Sequence, residues 1–169
     1  MAEHRRPSWD DYFLQMAKLA ASRATCPRRR VGAVLVRDHR VLATGYNGSV
    51  KGGPHCDDVG CLIVEQNGRP SCIRTVHAEL NAILQCAVNG ISSADSTLYC
   101  TDFPCTGCAK ALVQAGVREV VFLSEYPDAN SGIILRDGGI ALFKAIPGDG
   151  EDTYRLVQVD IRGAKTQKA

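Results

Sequence analysis

The sequence predicts an α/β protein in which a layered sheet is covered by helices. Short β-branched runs alternate with segments of helical periodicity, in the order hairpin, helix, strand, helix, strand, helix, strand. No internal repeat or linker divides the 169 residues, a length that suits one domain with a substantial core. We therefore expect a single domain over residues 1–169, with its core at about 8–145 and a disordered tail at 162–169.

The first part of the chain predicts one helix and one hairpin. Ser8 is a suitable N-cap, with an acidic residue three positions later that completes a capping box. Apolar residues then recur at helical spacing until the Cys26-Pro27 pair stops the helix. Two β-branched runs, 31–36 and 40–46, flank a short polar turn, which is typical of a β-hairpin.

A long irregular segment at 47–72 follows, rich in glycine, proline and polar residues, and it contains three cysteines. Segments of this kind inside a compact domain usually need a function or a staple. Beyond it, helices and strands alternate. The predicted helices are 77–88, 105–116 and 131–137, and the predicted strands are 97–101, 118–123 and 140–145, with a possible last strand at 153–161.

Composition limits the functional classes. Hydrophobic residues make up 45% and charged residues 22% of the chain, which is ordinary for a soluble globular protein. No apolar run approaches the length of a membrane span, and the N-terminus lacks the apolar centre of a signal peptide. We expect a cytoplasmic protein without a membrane partner. A net charge of +2 is too weak to indicate a nucleic-acid partner.

The chain has more cysteines than a cytoplasmic protein of this length usually carries. In a reducing compartment, clustered cysteines indicate metal binding or catalysis more often than disulfides. Two of the eight, Cys86 and Cys100, fall on a predicted helix face and strand face and are expected in the core. The others are Cys26, Cys56, Cys61, Cys72, Cys105 and Cys108.

One constellation predicts a metal site with catalytic capacity. Cys105 and Cys108 stand at the start of one predicted helix and His77 at the start of another. Helix N-termini stabilise thiolates, and zinc binds thiolate and imidazole well. Three protein ligands leave the fourth position open to water, as in catalytic zinc sites. Glu79, two residues after His77, faces a different side of its helix and is interpreted as the proton shuttle.

Each element alone has an ordinary explanation. A histidine at a helix start is usually a cap, a Cys-x-x-Cys pair can be a redox pair, and the helix dipole alone favours a glutamate in the first turn. Their combination, with a proline before the first cysteine, favours the zinc site.

These residues resemble a known family. "HAE" followed by "PCTGC" matches the H-x-E…P-C-x-x-C signature established for zinc deaminases. The sequence resembles the deoxycytidylate (dCMP) deaminases more narrowly, over about residues 8–145, in "VGAVLV", "TGYNGS", "HAELNAI", "FPCTGCAKAL" and "QAGVREVVF". The resemblance implies a three-layer α/β/α cytidine-deaminase-like fold, with a mixed five-stranded sheet and helices on both faces. It also implies hydrolytic deamination of dCMP to dUMP, which feeds thymidylate synthesis.

The resemblance also implies roles for individual residues. It assigns the catalytic zinc to His77, Cys105 and Cys108, the proton shuttle to Glu79, the sugar and base contact to Asn47, a sugar or phosphate contact to Asn81, and an aromatic position near the substrate to Tyr126. A plain surface-loop aromatic remains the alternative for Tyr126.

Many members of the family are hexamers that are activated by dCTP with Mg²⁺ and inhibited by dTTP. By resemblance, the chain is expected to be a homo-oligomer, with a hexamer favoured. Gly48 and Lys51 offer an amide and a cation to effector phosphates, and Arg28 and Arg30 are placed at the same pocket. The alternatives are a glycine that only makes a turn and a solvated basic loop.

A second, structural zinc site is predicted in the long irregular segment. Some relatives carry such a zinc, with ligands that match Cys26 and Cys56, and here Cys61 and Cys72 would complete a four-thiolate site. His55 is the substitute if one cysteine faces away. The alternative is that these cysteines are small buried hydrophobic residues.

Three rival functions remain open. A tRNA-editing adenosine deaminase shares the zinc motif but should present a basic face. A free-nucleoside cytidine deaminase should have a longer spacing between the two signatures and lack "GYNGS". A non-catalytic zinc-binding module linked to DNA uptake would have no use for Glu79.

Overall fold

The computed structural model describes residues 6–66, 68–126 and 128–161, so the predicted tail at 162–169 lies outside the described residues. The elements in chain order are α1 (Trp9–Ala21), β1 (Gly32–Arg37), β2 (Arg40–Tyr46), β3 (Gly48–Ser49), α2 (Cys56–Val59), β4 (Ile63–Gln66), β5 (Arg69–Cys72), β6 (Thr75–Val76), α3 (Ala78–Val88), β7 (Thr97–Asp102), α4 (Thr106–Gln114), β8 (Glu119–Ser124), α5 (Ala129–Asp137), β9 (Ala141–Pro147) and β10 (Tyr154–Gln158). No helix in the described ranges is both long and apolar enough to cross a membrane.

The main sheet is mixed and has six strands, in the order β10-β9-β8-β7-β1-β2. β7, β8 and β9 are parallel, whereas β1 runs antiparallel to β2 and β7, and β10 runs antiparallel to β9. The expected five-stranded sheet is therefore corrected to six strands. The sixth strand, β10, lies within the possible last strand predicted at 153–161 and confirms it. It returns along β9, where the Tyr154 N–H donates to Asp11 of α1 at 2.7 Å and Lys18 pairs with Asp152.

Helices cover both faces of the sheet, which confirms the three-layer prediction. Side chains of β1 alternate, so that Ala33 and Leu35 face one core and Val34 and Val36 face the other. Phe13, Leu14 and Ala17 of α1 fill the second core. The first core is filled from α3, α4 and α5 by Ala78, Ala82, Cys86, Ala109, Leu112 and Leu135. Cys86 and Cys100 are both buried there, as predicted.

The sequence-predicted hairpin is confirmed, with a two-residue turn. Asp38 and His39 have φ values of 50° and 57°, the left-handed pair of a type I′ turn, which suits the twist of the flanking strands. The first helix, however, ends at Ala21 rather than at the Cys26-Pro27 pair. The prediction of its end was wrong because N–H groups 22–24 bond to carbonyls three residues back, which closes the helix in tight turns.

The segment at 47–72 is more ordered than its composition predicts. It contains the one-turn helix α2 and the hairpin β4–β5, and β3 pairs with β6 just beyond it. Its apolar side chains are largely on the surface, including Val59, Leu62 and Ile63. The segment therefore does not bury a core of its own, and its position depends on other contacts.

Two glycines allow helices to lie close to the sheet. A Cβ atom at Gly45 of β2 would lie 2.1 Å from the Ala78 carbonyl oxygen and 2.6 Å from the Ala82 nitrogen, both in α3. A Cβ atom at Gly32 of β1 would lie 2.0 Å from the Ala17 carbonyl oxygen in α1. These distances are too short for any residue with a Cβ atom, so each helix can pack this close to the sheet only against glycine.

We expect Gly45→Ala to lower the free energy of unfolding by about 1–3 kcal/mol, because the added methyl group forces α3 away from β2. Urea denaturation measures this change. The matched control is Gly107→Ala in α4, where the new Cβ atom would meet only the Cys105 sulfur at 3.9 Å. That variant should be at least as stable as the parent, since alanine favours helix. A Gly45→Ala protein with parental stability would contradict the close-packing argument.

Candidate metal centre and catalytic cleft

The candidate site lies at the edge of the sheet where the parallel strands end. β7 ends at Asp102 and β8 at Ser124, and the antiparallel β1 begins at this edge while β2 ends there. The carboxyl ends of parallel strands are the usual place for ligands in α/β proteins. The strand order therefore brings four loops together: those before β1, after β2, after β7 and after β8.

Two helices begin at this edge, and each supplies metal-ligand side chains. His77 is the N-cap residue of α3 and Cys105 is that of α4, with Cys108 in the first turn. The Cys105 sulfur accepts a hydrogen bond from the Cys108 N–H at 3.5 Å, in the place where serine or aspartate usually caps a helix. The positive ends of both helices therefore lie against these side chains.

The three side chains have the spacing of ligands around one zinc ion. Their ligand atoms all lie within 4.8 Å of one another. His77 Nδ1 lies 3.3 Å from Cys105 Sγ and 3.6 Å from Cys108 Sγ. Tetrahedral bonds of about 2.1 Å to nitrogen and 2.3 Å to sulfur would separate N and S by about 3.6 Å. The donor set and its spacing thus fit zinc.

The two thiols of this cluster differ in acidity. The hydrogen bond from Cys108 lowers the pKa of Cys105, and hydrogen bonds with His77 and with the Cys108 N–H lower that pKa further. The same sulfur contact raises the pKa of Cys108, as does burial. The contact with Cys105 also raises the pKa of His77. The protein therefore stabilises a thiolate at Cys105, the form that binds metal.

Glu79 faces the protein interior beside this cluster. Its side chain is 3% exposed, and its Oε2 lies 3.8 Å from Cys108 Sγ. Burial raises the pKa of the carboxyl group to about 7. His77 and Glu79 thus reach the cluster from different directions: the imidazole contacts the sulfurs from the N-cap of α3, whereas the carboxyl group approaches Cys108 from the first turn.

The two predicted substrate asparagines both bond to the backbone. Asn47 is 6% exposed, and it donates to the Arg29 carbonyl at 2.8 Å and accepts from the Val31 N–H at 2.7 Å. Asn81 donates to the Tyr46 carbonyl at 2.8 Å. Both side chains thereby hold the loops around the cleft in place. A direct substrate contact of either residue stays a prediction.

Tyr126 lies next to the ion pair Arg29–Asp102, and neither member of this pair is among the sequence-predicted site residues. The Arg29 guanidinium carbon lies 5.1 Å from the centre of the Tyr126 ring. Arg29 Nε also donates to Asp102 Oδ1 at 3.2 Å, and Asp102 is buried. Burial raises the pKa of Tyr126. The phenol is half-buried beside Arg29, and its place near the substrate stays a prediction.

The three arginines of the basic run 28–30 contact different parts of the protein. Arg28 donates to the Pro70 carbonyl and Arg30 lies 3.5 Å from the Ser22 carbonyl, so both serve other parts of the surface. Of these three arginines, the middle one, Arg29, is the one that contacts Tyr126 and Asp102.

The remaining effector candidates occupy different environments. Gly48 is buried in β3, where a Cβ atom would lie 3.0 Å from the Tyr46 ring. Lys51 is exposed in the turn that follows β3. The effector roles of Gly48, Lys51, Arg28 and Arg30 stay predictions.

A second cysteine cluster lies in the segment that the sequence predicts for a structural metal. The sulfurs of Cys26, Cys56 and Cys61 lie within 4.8 Å of one another. Cys26 and Cys61 are 3.8 Å apart, and Cys56 and Cys72 are 3.7 Å apart. Tetrahedral zinc would separate two thiolates by about 3.8 Å. Cys26, Cys56 and Cys61 therefore have the spacing of ligands to one ion, whereas Cys72 is close to Cys56 but is not within 4.8 Å of all three. His55 is the exposed N-cap residue of α2, and its role as a substitute stays a prediction.

Comparison with known proteins agrees with this geometry. A family model described as the cytidine and deoxycytidylate deaminase zinc-binding region matches residues 7–124. ComE operon protein 2 of Bacillus subtilis is 47% identical over 121 residues, which cover 72% of this chain and 62% of the relative. Deoxycytidylate deaminase of Schizosaccharomyces pombe is 41% identical over 149 residues, which cover 84% of this chain and 45% of the relative. The chain thus spans between about half and two thirds of these two proteins.

Among solved structures, the dCMP deaminase of cyanophage S-TIM5 in complex with dCMP and dUMP superposes with a TM-score of 0.70 at 30% identity. The superposition covers 83% of this chain and 99% of the phage chain, and it confirms the cytidine-deaminase-like fold. The family match contains His77, Glu79, Cys105 and Cys108. The chain therefore belongs to the family of cytidine and deoxycytidylate deaminases that share this zinc-binding region.

Proposed function

We propose that the protein is a zinc-dependent hydrolase that deaminates dCMP to dUMP and ammonia, and so supplies dUMP for thymidylate synthesis. The observation that carries this proposal is the buried carboxyl group of Glu79 next to three side chains spaced for one zinc ion. Relatives named deoxycytidylate deaminase support the choice of substrate.

The reaction needs one group that accepts a proton and later returns it. Zinc held by one imidazole and two thiolates would supply Lewis-acid activation of a water molecule. Glu79 Oε2 accepts the proton of the water that adds to C4 of the cytosine ring and passes it to the ring nitrogen N3. The Glu79 carboxylate then takes the proton of the new C4 hydroxyl group and gives it to the amino group, so that the C4=O bond forms, the C4–N bond breaks and ammonia leaves. A pKa of about 7 for Glu79 suits a group that both takes and gives protons.

The rival functions fit the observations less well. A tRNA-editing enzyme needs a basic face to bind phosphates, whereas the net charge is only +2. A purely structural metal module has no use for a buried glutamate beside its ligands, because an unpaired buried carboxyl group destabilises the fold. The name ComE operon protein 2 states no activity, so that similarity does not favour a second function.

We infer that the second cysteine cluster binds a structural zinc ion through Cys26, Cys56, Cys61 and Cys72. Sulfur separations of 3.7 and 3.8 Å support this inference. A closed four-thiolate site would pin a segment that has no core of its own.

Regulation and assembly follow the resemblance to the family. We propose activation by dCTP with Mg²⁺ and inhibition by dTTP at a pocket near Gly48 and Lys51, in a homo-oligomer for which a hexamer is the expected state. We also propose a cytoplasmic location, since all eight cysteines have free thiols and free thiols persist in reducing compartments.

The substrate proposal is tested by offering the zinc-loaded protein dCMP, deoxycytidine, dCTP and tRNA, and by measuring ammonia release. We expect dCMP to be the preferred substrate, with a rate that rises with dCTP and Mg²⁺ and falls with dTTP. Preferred turnover of tRNA or of the free nucleoside would contradict the proposed substrate. A lack of turnover with all four would favour the non-catalytic module.

Glu79→Gln should retain zinc and fold but lose about 10²- to 10⁴-fold in kcat, because the amide cannot accept a proton. Steady-state deamination of dCMP and metal analysis measure the two properties. Glu65→Gln is the matched control, since Glu65 is exposed on β4, and it should keep the parental rate. A near-normal rate for Glu79→Gln would refute the shuttle role.

Metal analysis of the purified protein should find about two zinc ions per chain. Cys72→Ser should bind about one, because the second cluster loses a ligand while the first is intact. Cys86→Ala removes a core thiol outside both clusters and should still bind two. If the parent protein held one ion, the structural site would be excluded.

A further inference from the structure

An open cleft of about 440 Å³ lies at the same edge of the sheet as the metal cluster, beyond the ends of β7 and β8. Its walls include Phe103, which follows β7, Tyr126, which follows β8, and Gly132 in α5. Thr106 of α4 connects this cleft to the cysteines, because its N–H and its hydroxyl group both donate to Asp128 at 2.7 Å. The first turn of α4, which carries the cysteines, is thus bonded to a residue that lines the cleft.

The acidic groups around the cleft already have partners. Asp102 pairs with Arg29, and Glu125 pairs with Lys144 at 2.8 Å. Asp128 caps α5, where it accepts from Thr106 and Asn130. Because these carboxylates are bonded to cations or N–H and O–H donors, they do not dominate the charge that a ligand meets.

One cationic wall of the cleft comes from the cysteine-bearing segment. Arg69, the first residue of β5, lines the cleft together with Tyr126. The Arg29 guanidinium carbon lies 5.1 Å from the centre of the Tyr126 ring. Tyr126 thus contacts Arg29, from the loop before β1, and shares the cleft with Arg69, from the hairpin β4–β5.

The hairpin that carries Arg69 is held at both ends. At its tip, Arg28 donates to the Pro70 carbonyl at 3.2 Å. At its base, Cys72 is 3.7 Å from Cys56, and the Ile73 N–H bonds to the Leu62 carbonyl. These contacts give Arg69 a defined position at the cleft, although the segment lacks a core.

We propose that Arg69, with Arg29 beside it, forms the subsite for the phosphate group of the nucleotide substrate. Guanidinium groups bind phosphate through paired, charge-assisted hydrogen bonds. The subsite makes the enzyme select a nucleoside monophosphate over the free nucleoside. This inference rests on the proposed function and identifies the residues that determine its substrate class.

The experiment compares the parent protein with Arg69→Ala and Arg69→Lys. Equilibrium binding of dUMP and deoxyuridine, and kcat/KM for dCMP and deoxycytidine, are measured on each. Arg69→Ala should weaken dUMP binding and lower kcat/KM for dCMP by about 10- to 100-fold, with both nucleosides affected less than about twofold. Arg69→Lys keeps the charge without the planar fork and should lose less.

Arg40→Ala is the matched control, because it removes the same charge at the far end of the hairpin β1–β2. It should leave the affinity for dUMP relative to deoxyuridine, and kcat/KM for dCMP relative to deoxycytidine, unchanged. Equal losses for nucleotide and nucleoside, or no loss with Arg69→Ala, would overturn the subsite. If the parent deaminates neither compound, the proposed function fails, whereas the comparison of dUMP with deoxyuridine binding still decides the subsite. A parent that binds dUMP no tighter than deoxyuridine would also overturn it.

Discussion

The meeting of two helix N-termini at one edge of the sheet is the constraint on which the site depends. His77 and Cys105 are 28 positions apart in the chain, yet the former caps α3 and the latter caps α4, so that Nδ1 and Sγ lie 3.3 Å apart. Helix starts are where backbone N–H groups have no partners within the helix, and they favour anionic thiolates. The same geometry leaves Glu79 in the first turn of α3, buried beside the sulfurs. The proposed metal ligation and proton transfer therefore both depend on the position of α3, which Gly45 allows to lie close to β2.

The charged side chains around the cleft are bonded to partners, and charges of both signs are present. Asp102 is buried, and Arg29 compensates its charge while it also covers the Tyr126 ring. Asp128 connects the start of α4 to the start of α5 through Thr106. A buried carboxylate without such partners would destabilise the fold. These pairs allow several acidic groups to surround a site whose expected substrate is an anion.

The cysteine-bearing segment shows how a part of the chain without its own core can still contribute to the cleft. Its apolar side chains, such as Leu62 and Ile73, remain exposed, so hydrophobic burial does not determine its position. The hydrogen bond from Arg28 to Pro70 contributes to its position, and the structural zinc proposed for the four cysteines would fix it further. A few strong, directional contacts would then replace the many weak ones that hold the sheet.

The sequence by itself determined the local elements and the chemistry of the metal cluster. The capping box at Ser8, the hairpin turn at Asp38-His39 and the helix starts at His77 and Cys105 each follow from a few neighbouring residues. Only the tertiary structure decided that β10 pairs with β9 as the edge strand of the main sheet, that Asn47 bonds to the backbone of residues 29 and 31, and that Arg29 and Arg69 both lie near Tyr126. Periodicity and capping depend on short-range sterics and hydrogen bonds, whereas these contacts join residues distant in the chain and arise from strand order and packing, which no local pattern encodes.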